Sequence, residues 1–129
     1  MPQSSGRILV IDDDSSMCET LATVLTRRGF TVDWRTAAAD ALALVSERDF
    51  DVVITDLHMD GMDGIAVCEQ MTRYHPGIPV VVITAFGSAE TAAEALRAGA
   101  WGFLTKPFDL DLLRTTLTKA VLQRRSIAT

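Results

Sequence analysis

A doubly wound α/β sandwich, with five parallel strands in the order 2-1-3-4-5 and helices on both faces, is the fold this sequence predicts. Three observations carry it. Strand-type runs and helix-type runs alternate along the whole chain, which implies a parallel sheet with right-handed crossovers. Within Arg7–Ile11, Val52–Thr55 and Ile78–Thr84 the residues between the polar ends run apolar without alternation, as suits strands covered on both faces. No linker, repeat or low-complexity tract interrupts the series, and 129 residues suffice for one domain with a sizeable core.

The elements follow in order. Met1–Gly6 is a short, disordered start without the apolar region of a signal peptide. Arg7–Ile11 is the first strand and ends on Asp12-Asp13-Asp14. Asp14 or Ser15 caps a helix whose inward face is Cys18, Leu21, Ala22 and Leu25, and Gly29 stops it. Phe30–Arg35 alternates in polarity, as a strand nearer the sheet edge would. Ala37–Arg48 is an alanine-rich helix expected to bury Leu42 and Val45. Asp51–Asp56 is the central strand. Asp63 starts a helix to about Tyr74, which His75-Pro76-Gly77 breaks. Ile78–Thr84 is the fourth strand. Ser88 caps a short helix expected to turn Ala89, Ala92, Ala93 and Leu96 inward, ended by Gly99. Trp101–Thr105 is the fifth strand. Asp109–Arg125 is the last helix, with Leu110, Leu113, Leu117, Ala120 and Val121 on one face, and 126–129 is a tail or the start of a linker.

Composition narrows the function classes. A formal net charge of −5 disfavours nucleic-acid contact by this domain, since phosphate binding needs a basic face. No apolar run approaches the ~20 residues of a membrane-spanning helix. Cys18 and Cys68 have no metal or redox spacing and read as reduced core thiols of a cytoplasmic protein.

Polar residues fall where chemistry would be. Ligands of open α/β sheets bind at the carboxyl ends of the strands. There the first strand ends in Asp12-Asp13, the third in Asp56, the fourth in Thr84, and the fifth runs into Lys106. Each has an ordinary reading as a cap, a turn residue or a surface lysine, and Asp56 alone is evenly divided between structure and function. Their coincidence on successive strand ends favours a site. Two carboxylates ~4 Å apart repel by ~4 kcal/mol at an effective dielectric of 20, a cost that a divalent cation removes. Few carboxylates with water completing the shell suit Mg²⁺, with Mn²⁺ a substitute, better than zinc; His58 and His75 are isolated. A carboxylate beside Mg²⁺, an ammonium and a hydroxyl is suited to phosphoryl transfer, with Asp56 as nucleophile.

These residues closely resemble the receiver domain of bacterial two-component response regulators, whose fold is flavodoxin-like. The resemblance runs from about Arg7 to Arg124 and rests on Asp12-Asp13, Asp56 in DLHMDGMDG, Thr84-Ala85 and Lys106-Pro107-Phe108. It implies that Asp56 takes a phosphoryl group from a histidine kinase or phosphotransfer protein. It implies Mg²⁺ on Asp13, Asp56 and the backbone carbonyl of His58, with Asp12 assisting through water. Thr84 and Lys106 would contact the phosphoryl group, Phe103 would be the aromatic switch, and the Lys106–Pro107 bond would be cis. The stretch from Thr84 to Leu113 is most similar to receivers of NtrC-type transcriptional activators. The implied output is transcription. The alanine-lined fourth helix has least apolar area to hold it, so a change at Thr84 and Phe103 is expected to be read out on the fourth helix, fifth strand and fifth helix, by a phosphorylation-dependent homodimer. Trp101 shares the parity of Phe103, at the rim of that surface or in simple packing. Asp60 stands where the family usually has Pro, which puts an extra negative charge near the metal.

Other classes remain to be separated. A haloacid-dehalogenase-type phosphatase would use Asp12 as nucleophile, in a faint echo of its motif at Asp12–Ser16, but no further acidic pair follows Lys106. A flavodoxin would need a hydroxyl- and glycine-rich loop where three carboxylates stand. A receiver-like module that is never phosphorylated tends to lack one of the key residues, and all are present. The favoured reading is therefore a switch and not an enzyme.

Overall fold

The structure, a computed structural model, describes residues 5–128 apart from Asp60 and Phe86, with the backbone alone for Ile127 and Ala128. Among these residues strands and helices alternate: β1 (Arg7–Ile11), α1 (Ser15–Arg27), β2 (Thr31–Arg35), α2 (Ala38–Glu47), β3 (Val52–Asp56), α3 (Gly64–Tyr74), β4 (Val80–Thr84), α4 (Ala89–Arg97), β5 (Gly102–Thr105) and α5 (Leu110–Ala128). Every strand pairing is parallel and the order is β2-β1-β3-β4-β5. The expected fold is the observed one.

Strand side chains point alternately to the two faces, and each face has its own apolar cluster. Leu9, Val53 and Val82 face α2 and α3, where Ala41, Leu44, Val67 and Met71 cover them. Ile8, Val10, Ile54 and Val81 face α1 and α5, under Leu21, Leu25, Leu113 and Leu117. With both faces covered, the inner strands have no solvent side, hence their unbroken apolar text. β2 lies at an edge and is only partly buried, in keeping with its mixed sequence.

The helix ends follow local chemistry. The Asp14 carboxylate accepts the N–H groups of Ser16 and Met17, Asp63 that of Ala66, and the Ser88 hydroxyl that of Thr91, so each caps its helix. Gly29 and Gly99, with φ of +96° and +107°, turn the chain out of α1 and α4.

Several expectations are corrected. In α2 the buried leucine is Leu44, while Leu42 is partly buried at the rim of the cluster. In α4 only Ala95 is buried; Ala89 is exposed and Leu96 is 55% exposed. Alanine serves equally well inside or outside, so the pattern of that helix left its rotation open by one residue. Leu110 opens α5 and is half-exposed, while Leu113, Leu117, Ala120 and Val121 are buried as expected. Ordered backbone starts before Arg7: the Ser5 N–H donates to the Gly29 carbonyl and the Thr31 N–H to that of Gly6. At the other end α5 runs on to Ala128 rather than stopping at Arg125. No helix of the described residues is long and apolar enough to cross a membrane.

Candidate functional site

The site lies at the carboxyl edge of the central strands. β1 carries Asp12 just past its last residue, and β3 ends on Asp56. β4 ends on Thr84, which is in register with Thr105 of β5, and the Lys106 N–H donates to the Thr84 carbonyl at 2.8 Å. Lys106 is thereby placed opposite the two carboxylates. Its Nζ lies 3.2 Å from Asp56 Oδ2 and 3.5 Å from Asp12 Oδ2. The Lys106–Pro107 peptide bond is cis.

The remaining carboxylate oxygens are also held. Asp12 Oδ1 accepts the Asp14 N–H at 2.9 Å, and Asp56 Oδ1 accepts the His58 N–H at 3.0 Å. The Thr55 hydroxyl donates to the Asp56 carbonyl, and the Cys18 thiol to the Asp12 carbonyl. Burial dominates at Asp12, which is 5% exposed: it raises the carboxyl pKa, the Asp14 N–H and Lys106 oppose it, and the charge of Asp56 adds to the rise. At Lys106 burial works against the ammonium, but hydrogen bonding and charge from Asp56, joined by Asp12, prevail and raise its pKa.

Asp12, Asp56 and Lys106 thus meet directly. Thr84 is fully buried at the neighbouring strand end, and Phe103 is partly buried on β5 against the α2–α3 cluster. Asp13 is exposed next to Asp12, and His58 is exposed just after Asp56. The described residues hold no cluster of three or more His, Cys, Asp and Glu side chains spaced to form a metal cage. Asp60 lies outside the described residues.

The donors nonetheless fit Mg²⁺, which takes one or two carboxylates and keeps several waters. Asp12 and Asp56 are hard oxygen donors brought to one ammonium, and the backbone of His58 is adjacent. The nearby soft donor, Cys18, is fully buried with its thiol pushed up to about 11 by burial first and by Asp12 second, so it stays protonated. Cys68 is likewise buried and free, pushed up to about 12.

Two supporting residues were not foreseen. Gly64 packs its α-carbon against the Asp56–Leu57 backbone, and Cys18 braces Asp12 from below. The sequence signal for Gly64 is a glycine directly after the Asp63 cap, where a helix has no other need of one; for Cys18 there is none beyond its place on the inward face of α1.

A strand-end triad of this kind, on this sheet order, defines a receiver domain, and the sequence agrees. The family profile of the response regulator receiver domain matches residues 8–118, and the chain belongs to that family. Over 118 residues it is 47% identical to the transcriptional regulatory protein ZraR of Salmonella typhimurium, covering 92% of this chain and 27% of that protein. GlrR of Escherichia coli is 35% identical over 123 residues, covering 95% of this chain and 28% of GlrR. The chain therefore spans about a quarter of the length of these curated relatives, which are transcriptional regulatory proteins. Among solved structures, the beryllofluoride-activated NtrC4 receiver domain dimer superposes with a TM-score of 0.86 at 31% identity, covering 92% of this chain and 98% of that one. A response regulator receiver domain protein from Clostridium thermocellum gives a TM-score of 0.88 at 27% identity, covering 94% and 98%.

Proposed function

We propose that this domain is a cytoplasmic phosphorylation switch that controls transcription, with Asp56 as phosphoacceptor for a histidine kinase or phosphotransfer protein. The observation that carries the proposal is the Lys106 ammonium bridging Asp56 and Asp12 at the sheet edge. Asp56 is the better placed nucleophile of the pair, with a side chain 14% exposed against 6% for Asp12. That difference, with the family membership, favours Asp56 over the phosphatase reading in which Asp12 attacks.

In the reaction an Asp56 carboxylate oxygen attacks phosphorus in line with the scissile bond. The P–O bond forms as the P–N bond of the donor phosphohistidine breaks, and the imidazole leaves with a proton from solvent. Lys106 is already within reach of the acceptor and balances charge on the transferred oxygens. Thr84 donates its hydroxyl to the product and couples it to Phe103 on β5. Asp12, Asp13, Asp56 and the His58 carbonyl would hold Mg²⁺, which supplies neutralisation of the converging negative charges. Once the acyl phosphate forms, the domain acts as a signal and turns over no substrate beyond its own phosphoryl group.

Acetyl phosphate with Mg²⁺ tests this. Mass mapping should place the added phosphoryl group on Asp56, with none in Asp56→Asn or in excess chelator. A label on Asp12, or full labelling of Asp56→Asn, overturns the assignment.

A further inference from the structure

Gly87 stands in the β4–α4 connection, one residue before the Ser88 cap of α4. Its α-carbon rests directly on β5. A Cβ at this position would overlap Thr105 Cγ2, and would lie 3.2 Å from Thr105 Cβ and 3.4 Å from Phe103 Cε1. The φ of Gly87 is not positive, so its backbone suits any residue and only the contact demands glycine. Thr105 is the register partner of Thr84, and Lys106 follows it. Gly87 is therefore seated on the strand that carries Phe103 and runs into the lysine of the site. Of the α4 side chains only Ala95 is buried, and beyond it the Thr72 hydroxyl of α3 donates to the Ala98 carbonyl at the far end of the helix.

We propose that Gly87 is a positioning residue for the switch: its missing side chain lets the β4–α4 connection rest on Thr105 and the edge of Phe103, and this seat favours the resting placement of α4. A change that begins at Thr84 and turns Phe103 must disturb the same contact. A substituent at 87 raises the free energy of the seated arrangement alone, and so shifts the equilibrium by that difference. The link to signalling rests on Asp56 being the phosphoacceptor; the steric argument does not.

The test uses Gly87→Ala, Thr105→Ser and the double variant, since Thr105→Ser deletes the methyl that the new Cβ would meet. Without any phosphoryl analogue, Gly87→Ala should speed amide exchange in α4 by about tenfold, while β1 and β3 keep their protection. By reciprocity it should also bind beryllofluoride about tenfold more tightly. In the double variant both effects should revert toward the parent. Unchanged α4 exchange or unchanged beryllofluoride affinity in Gly87→Ala overturns the proposal, as does a change that Thr105→Ser leaves in place. Failure of the parent to bind beryllofluoride counts against the Asp56 reading instead, and leaves the exchange arm to decide Gly87.

Discussion

Gly64 and Asp56 are packed backbone to backbone: a Cβ added to Gly64 would lie 2.5 Å from the Asp56 carbonyl oxygen and 2.8 Å from the α-carbon of Leu57. The Gly64 N–H also donates to the Leu57 carbonyl at 2.9 Å. The first turn of α3 is thus pressed onto the proposed phosphoacceptor, and the position of Asp56 is set from outside its own strand.

Gly64→Ala should displace that loop, because rotamer changes cannot relieve a clash with main chain. A loss of about 1–3 kcal/mol is expected from overpacking. Labelling of Asp56 by acetyl phosphate should slow by about 10–100-fold, the scale of an ångström misplacement at a reacting centre. Urea unfolding and initial labelling rates check the two parts. A wild-type rate in a destabilised variant would show that Asp56 is held by β3 alone.

Asp12 gives a pH-dependent prediction. Its carboxyl pKa is raised in the folded state, chiefly by burial. The folded protein therefore holds the proton more tightly than the unfolded chain does. The stability tied to Asp12 is complete below the ordinary value of 3.8 and is lost as pH rises through the raised folded value. Asp12→Asn keeps an oxygen for the Asp14 N–H and removes the charge. It should stabilise the metal-free domain at pH 7, with an advantage that vanishes below the ordinary carboxylate range. Urea midpoints at pH 7 and pH 3.5 measure this. Adding Mg²⁺ should reverse the order, since binding to the folded state stabilises the parent more than a variant short of one ligand.

What the sequence made legible follows from how far its signals reach. Strand ends were readable because buried parallel strands leave a hard boundary: Val52–Thr55 is apolar text and Asp56 is not. Topology then did the rest, since parallel strands bring Asp12, Asp56, Thr84 and Lys106 to one edge whatever their spacing in the chain. Rotation of the helices was less legible. In α4 the run Ala92, Ala93, Ala95 and Leu96 offers two nearly equal faces, and the structure buries Ala95 while exposing Leu96. Close contacts were not legible at all. That Gly64 touches Asp56 and Gly87 touches Thr105 depends on the approach of separate segments, which no local pattern encodes.

Thr84 should separate binding from switching. It is fully buried and ends β4 beside β3, where Ile83 is the register partner of Asp56. Thr84→Ala should bind beryllofluoride with affinity within about threefold of the parent, because the Asp56–Lys106 pair remains. It should nevertheless transmit little of the change to β5, having lost the hydroxyl that the phosphoryl oxygens would draw. Trp101 emission, read in a Trp34→Phe background, reports the transmission. A full emission change in Thr84→Ala would remove Thr84 from the relay.

The last prediction concerns the output surface. Leu96 on α4, Trp101 before β5 and Leu112 on α5 are 55%, 38% and 49% exposed. Leu112 and Thr116 are one turn apart on α5, and Thr116 flanks β5 where its methyl would sit 3.8 Å from a Cβ on Gly102. Trp101 and Gln123 line one hollow beside the same helix. Each of α4, the entry to β5 and α5 therefore carries an exposed apolar side chain. Such groups gain by burial against a second copy, at about 25 cal/mol per Å² removed from water, and a standard interface buries about 800 Å² per partner. Without a phosphoryl group to shift α4, the monomer should prevail. Beryllofluoride with Mg²⁺ should shift Trp101 emission and raise the sedimentation mass toward that of a dimer at tens of micromolar, roughly the Kd expected of a modest interface. Leu96→Glu should keep the emission shift and lose the mass increase, because a charge placed in an apolar interface opposes association without touching Asp56. A Leu96→Glu protein that still dimerises, or a parent that stays monomeric while its Trp101 emission shifts, would move the output to another face.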